Sequence, residues 1–295
     1  MDGIAAGVTI VGDGATGVAE AAVAALGATL HGRVAWQQLD ATANAPVLLV
    51  EAEGADPDTL AAALPQIALL ARDRPAVVVF EETQIDLVAA HLLDGEVQLL
   101  CHPAPIERLA ALALALRLAA TAPGHLGENE AARLARLTAE VARVAEALAR
   151  LAREEPLPED AAKVADRDGG YGAPPPDPAT PVDPKAIRRL LRARRLRDRQ
   201  FGAGLFEDPA WDMMLDLYAA HLEGREVSVS SLCIAAAVAP TTALRWIGRM
   251  VAAGLFVRRA DPADRRRALM TLSDRGLGGM TAFQTALTAS GLPLV

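Results

Sequence analysis

The 295-residue sequence contains only two cysteines, Cys101 and Cys233. That is too few for a disulfide framework or a thiolate metal site, and each sits in an apolar stretch where it reads as a small buried hydrophobe. No uninterrupted apolar run approaches the roughly 18 to 20 residues of a membrane helix, so no membrane association is expected. The opening MDGIAAGVTIVGDG has no basic segment before its apolar residues and does not read as an export signal, which favours the cytoplasm. Repeats of solenoid period are absent. So are a nucleophile elbow, a Gly-rich phosphate loop and a metal-spaced cluster, GDGATG at 12–17 being only a loose glycine turn. An enzyme, a resident metal and a cofactor are therefore not expected.

What the chain does have is an uneven distribution of charge. The net charge is −8. Residues 1–184 carry 12 basic and 27 acidic side chains, net −15, whereas residues 185–295 carry 17 basic and 10 acidic, net +7. Such polarity suggests that only the C-terminal part meets a polyanion.

Residues 155–184 hold eight prolines together with Gly169, Gly170 and Gly172, a composition that builds no packed core and reads as a linker. Ahead of it, over residues 1–122, continuous β-branched runs (VTIV, VLLVEA, AVVVF, VQLLCH) alternate with helical runs rich in alanine and leucine. A short strand near Ala28 to Val34 and a turn around Gln37 to Ala43 complete the alternation. Strands apolar throughout, separated by amphipathic helices, predict a parallel sheet covered on both faces: an α/β doubly wound domain, most simply with the flavodoxin-like strand order.

The order of elements over roughly residues 5–120, the strand VLLVEA and the Pro103 that follows Cys101-His102 resemble the receiver domain of bacterial response regulators. The resemblance implies a phosphoryl pocket at the C-terminal edge of the sheet, and here that pocket is degenerate. Asp13 is the one acid after strand one, Glu51 replaces the phosphoacceptor, Phe80 or Glu81 stands where a hydroxyl belongs, and His102 replaces the lysine. With the carboxylate one methylene longer and the balancing cation gone, phosphotransfer is not expected, and the domain reads as a pseudo-receiver serving dimerisation or signal input. Glu51 is either an imitation of the phosphorylated state or a partly solvated strand-end carboxylate. His102 is either a hydrogen-bonded strand-end histidine or a titrating sensor. A protein or small-molecule effector at this domain remains open.

Between 128 and 154, apolar residues fall at Leu134, Leu137, Val141, Val144, Leu148 and Leu151, with steps alternating three and four. These are the a and d positions of three heptads, and a coiled coil joining two copies is expected, against the alternative of one amphipathic helix packed on its own sheet.

The remainder, residues 185–295, starts with PKAIRRLLRARRLRDRQF, in which residues 185–199 carry eight basic side chains and one acid. Such a run repels itself unless an anion is near. Three further helices follow, at PAWDMMLDLYAAHLEG, VSVSSLCIAAAV and APTTALRWIGRMVAAGL. Two strands, LFVRR and ALMTLS, then flank the charged tip DPADRRR. Helices followed by a two-stranded wing predict an α+β winged helix-turn-helix. Its spacing, with Asp261-Pro262-Ala263-Asp264-Arg265-Arg266, Leu272-Ser273 and Gly276, resembles the MarR-type family of bacterial regulators. The resemblance implies that the helix from Pro240 enters the major groove of double-stranded DNA. Leu244, Ile247 and Val251 have the spacing of its core face, leaving Thr241, Thr242 and Arg245 outward. Arg245 has the geometry to read guanine, Arg249 to meet phosphate, Ser230 to contact DNA from the preceding helix, and Arg265, Arg266 and Arg267 to reach a minor groove or backbone from the wing, braced by Asp264.

The sequence thus points to a homodimeric, sequence-specific transcriptional regulator; the alternative is a winged-helix adaptor that binds protein and not DNA. If residues 134–151 zip two chains together, Val141→Glu with Val144→Glu should convert a dimer to monomer in light scattering at micromolar concentration. A native protein already monomeric there contradicts the heptad reading.

Overall fold

The computed structural model describes residues 7–13, 17–42, 45–93, 97–121, 182–202, 205–264 and 266–290. The heptad positions Leu134, Leu137, Val141, Val144, Leu148 and Leu151, the linker up to residue 181, and Arg265 lie outside the described residues. The described residues of 1–119 and 182–290 belong to one compact unit.

Five parallel strands, β1 (Gly7–Val11), β2 (Thr29–Val34), β3 (Val47–Glu51), β4 (Ala76–Phe80) and β5 (Gln98–Cys101), lie in the order β2-β1-β3-β4-β5. Helices α1 (Gly17–Ala25) and α4 (Pro105–Thr121) cover one face, packing Ala19, Val23, Leu112 and Ala115 onto Ile10, Leu49 and Val77. Helices α2 (Pro57–Leu70) and α3 (Ile85–Leu92), with a 3₁₀ turn at Trp36–Thr42, cover the other. The α/β reading therefore holds. The reason lies in the strands: β1, β3 and β4 are buried along their whole length, which a continuous Val/Leu/Ile run allows and an alternating one does not. The two edges differ. Strand β2 (TLHGRV) is half to fully exposed and polar, whereas three of the four residues of the opposite edge, β5, are buried.

The C-terminal elements are α5 (Pro184–Phe201), α6 (Pro209–Leu222), β6 (Val227–Ser228), α7 (Val229–Ala236), α8 (Pro240–Ala252), β7 (Phe256–Ala260), β8 (Ala268–Leu272) and α9 (Asp274–Ala289). Strands β6, β8 and β7 form an antiparallel sheet in that order, Phe256 facing Leu272 and Val227 facing Met270. Gly276, in the first turn of α9, passes so close to the Leu255 carbonyl that a Cβ there would collide with it. This is the packing reason for glycine after the wing.

The basic helix α5 finds its anion inside the protein. Arg188 pairs with Asp216 and with Glu223 (3.0 Å). Arg194 and Arg195 converge on the buried Asp212 of α6 at 2.6 and 2.8 Å. Asp212 and Asp216 of α6, with Glu223 at its C-cap, share one face at helical spacing and answer three of the cations that a polyanion was expected to neutralise. Asp212→Ala removes the shared acceptor of two guanidiniums, leaving Arg194 to Asp208 at 3.6 Å and Arg195 to the Ala235 carbonyl, and urea unfolding should show a loss of about 2 kcal/mol. A loss under about 1 kcal/mol would place these pairs with ordinary surface ion pairs.

Candidate nucleic-acid interface

Helix α7 is capped by Ser228, whose Oγ accepts the Ser231 N–H at 3.2 Å. It stops at Ala237, which takes the left-handed conformation (φ 53°, ψ 36°), unusual for a residue with a Cβ. Val238 and Ala239 then lead to Pro240 at the first turn of α8, where its missing N–H costs nothing. The chain bends by 108° between the two helices. A crossing of this size over a short turn is the helix-turn-helix geometry. Ala243, Leu244 and Ile247 hold α8 on the core formed by Met213, Leu217, Leu232 and Met270.

The outer side of α8 is divided. Arg245 and Arg249 are exposed and Thr242 is half-exposed; the Arg249 guanidinium lies over the Trp246 ring, 5.2 Å from its centroid. Both arginines line a half-open cleft of about 270 Å³ with Leu93, Val97, Gln98, Leu99, Leu244 and Gly248. Thr241 departs from the outward reading. It is buried against β5, and its Oγ1 accepts the Cys101 backbone N–H at 2.9 Å. The 3.6-residue period placed Thr241 off the helix's own core, but a second surface packs there.

The same surface engages the other elements. Ser230, at the start of α7, donates its N–H and its Oγ–H to Asp86 of α3 at 2.9 and 2.6 Å. Arg258 of β7 donates to the carbonyls of Ala89 (2.6 Å) and Ala90. At the wing, Arg266 pairs with Asp58 of α2, and Arg267 lies 3.8 Å from Asp261. The wing is braced differently from expectation: Asp264 accepts the Arg266 backbone N–H, and Asp261 accepts that of Ala263. Apolar packing is continuous beneath these contacts, one cluster running from Leu64, Val88 and Cys101 to Cys233, Ile247 and Met270. Asp58, Asp86 and Arg258 were not read as site residues, and no local signal marks them, since their partners stand 144 to 208 residues away in the chain.

At the C-terminal edge of the parallel sheet, Asp13 and Glu51 line a second cleft with Trp36, Glu53, Asp56 and Thr59; Glu81 and His102 are not among its lining residues. Glu81 instead caps the turn at Glu82–Gln84, its N–H donated to Gln84 Oε1. His102, in the left-handed region (φ 44°), places Nδ1 3.2 Å from Glu53. Gly12 (φ +126°) lets the chain pass Glu51, since a Cβ there would sit 2.6 Å from the Glu51 carbonyl oxygen.

Glu51 is not a partly solvated carboxylate. It is 5% exposed and receives a 2.5 Å bond from Arg108 of α4, itself buried. The cation missed when His102 was read in place of a lysine is thus supplied one helical turn into α4. The visible signal is an arginine in the first turn of a helix rich in alanine and leucine. Burial pushes the Glu51 carboxyl up and the Arg108 guanidinium opposes it. Burial also drives the Cys101 and Cys233 thiols up to about 11 and about 12, so both are unreactive buried thiols, as their apolar settings suggested.

No protein-family model and no curated protein matches the chain. Among solved structures it is similar to S. aureus MepR in its DNA-binding conformation, at 15% identity and TM-score 0.26, over 37% of this chain and 80% of that one. It is also similar to AbfR of Staphylococcus epidermidis (22%, TM-score 0.25, 37% and 69%) and to MarR (19%, TM-score 0.23, 35% and 74%). Likeness at this level carries no functional weight; the winged-helix arrangement rests on the chain's own strand pairing and helix crossing.

Arg108→Met removes the cation that opposes the burial of Glu51. The carboxyl's folded pKa then rises further above its unfolded value, so the variant's folded state is favoured below the unfolded pKa and penalised as pH climbs through the folded one. Thermal unfolding should show a deficit of about 3 kcal/mol or more near pH 7 that shrinks steadily as pH falls from there toward the ordinary glutamate pKa of about 4.3 and is smallest below it. A deficit independent of pH contradicts the coupling.

Proposed function

We propose that this protein is a DNA-binding transcription regulator that reads double-stranded DNA through α8 and the β7–β8 wing. The observation that carries this reading is the 108° helix-turn-helix followed by an antiparallel wing, with Arg245 and Arg249 exposed one turn apart on the second helix. Arg245 has the reach for a bidentate contact to guanine, and Arg249 and Arg267 for phosphates. The strand order β2-β1-β3-β4-β5 supports a flavodoxin-like N-terminal domain. The buried Glu51–Arg108 pair supports its reading as a receiver-like domain that does not transfer phosphate. Homodimerisation through 134–151, a cytoplasmic location and the absence of catalysis belong to the same proposal. Among the described residues no single helix is long and apolar enough to cross a membrane.

The adaptor alternative gains support from one observation, the engagement of Ser230, Thr241 and Arg266 by protein groups. Selection of bound sequences from random duplex DNA by the full chain separates the two readings. An enriched inverted repeat is expected. On the best site, Arg245→Ala should cost about 1 to 3 kcal/mol and relax selectivity at one position per half-site, by fluorescence anisotropy. No enrichment, together with an Arg245→Ala variant indistinguishable from the parent, would leave the adaptor reading.

A further inference from the structure

Several of the groups that a winged helix offers to a DNA backbone already have partners within this chain. A helix N-terminus meets phosphate through its free N–H and a neighbouring hydroxyl, and a wing meets it through arginine. Here the N–H and Oγ–H of Ser230 both end on the Asp86 carboxylate. Wing residue Arg266 ends on the Asp58 carboxylate. Arg258 ends on the carbonyls of Ala89 and Ala90, within the last turn of α3, where unsatisfied C=O groups concentrate partial negative charge. The first turn of α8, which would lie deepest in a groove, is closed over β5 by Thr241 and Cys101. Arg245 and Arg249 stay outside, at the open cleft on the margin of the seam, and Arg267 stays exposed on the wing.

We infer that the face of the sheet domain formed by Asp58, Asp86, the end of α3 and the β5 edge is a built-in partner for the reading face of the winged helix. Its acceptors stand where duplex phosphates would, so the sheet domain and DNA compete for one surface. The inference rests on the DNA-binding reading and adds its control. The acidic half of a polarised chain acts as the internal counterpart of the basic half. Apparent DNA affinity is then the affinity of the open form multiplied by the fraction open. A signal that loosens the α3–β5 seam raises it.

The test uses the full chain and a labelled random-sequence duplex pool, read by anisotropy. Asp86→Ala with Asp58→Ala leaves every residue of the winged helix intact and should tighten binding about tenfold or more. A second measurement needs no variant: hydrogen exchange at the Cys101 amide, protected in the free protein by Thr241, should accelerate when duplex is added to the parent. Equal affinity of parent and double variant, or duplex binding that leaves the Cys101 amide protected, overturns the competition while the DNA reading stands. If neither protein binds duplex and Arg245→Ala changes nothing, the DNA reading itself fails and the competition falls with it.

Discussion

The closure of one sheet edge organises this molecule. A parallel five-stranded sheet leaves an unpaired row of N–H and C=O groups on each outer strand. The β2 edge handles this with polar residues and exposure. The β5 edge is apolar and would be an aggregation surface if bare. Helix α8 lies over it, with Thr241 accepting the Cys101 N–H and Leu93, Val97, Gln98 and Leu99 lining a cleft with Arg245 and Gly248. Because a buried backbone N–H without an acceptor costs about 1 to 3 kcal/mol, one threonine hydroxyl ties the orientation of the helix-turn-helix to the register of the sheet. The apolar cluster shared by α2, α3, α7 and α8 then follows from that placement.

The electrostatics follow the same plan. Many of the cations that make the C-terminal part net positive are consumed within the chain: Arg188, Arg194 and Arg195 by α6, Arg258 by α3 and Arg266 by α2. Net charge is a sum, and two regions of equal charge differ entirely in what they offer a polyanion according to how many of their cations are already paired. The exposed pair Arg245 and Arg249 is therefore more informative about a nucleic-acid partner than the +7 of the region. The Glu51–Arg108 pair applies the same economy in the sheet domain, where a buried carboxylate persists because a guanidinium from α4 meets it.

Local sequence determined the elements and their order. Continuous apolar runs settled the parallel strands, since only strands covered on both faces tolerate them. The 3.6-residue spacing of Leu244 and Ile247 settled the core face of α8. Pro240 and Ser228 marked helix boundaries through constraints that act within a few residues. Tertiary structure alone decided which polar groups were spent. Periodicity says that Thr241 lies off the core of its own domain, but not whether solvent, DNA or the β5 edge lies beyond it. Ser230 and Asp86, 144 residues apart, carry no mutual signal in the chain. A helix pattern reports the energetics of near neighbours. A hydrogen bond across a seam depends on where two finished surfaces meet, and the partners become defined only once both have folded.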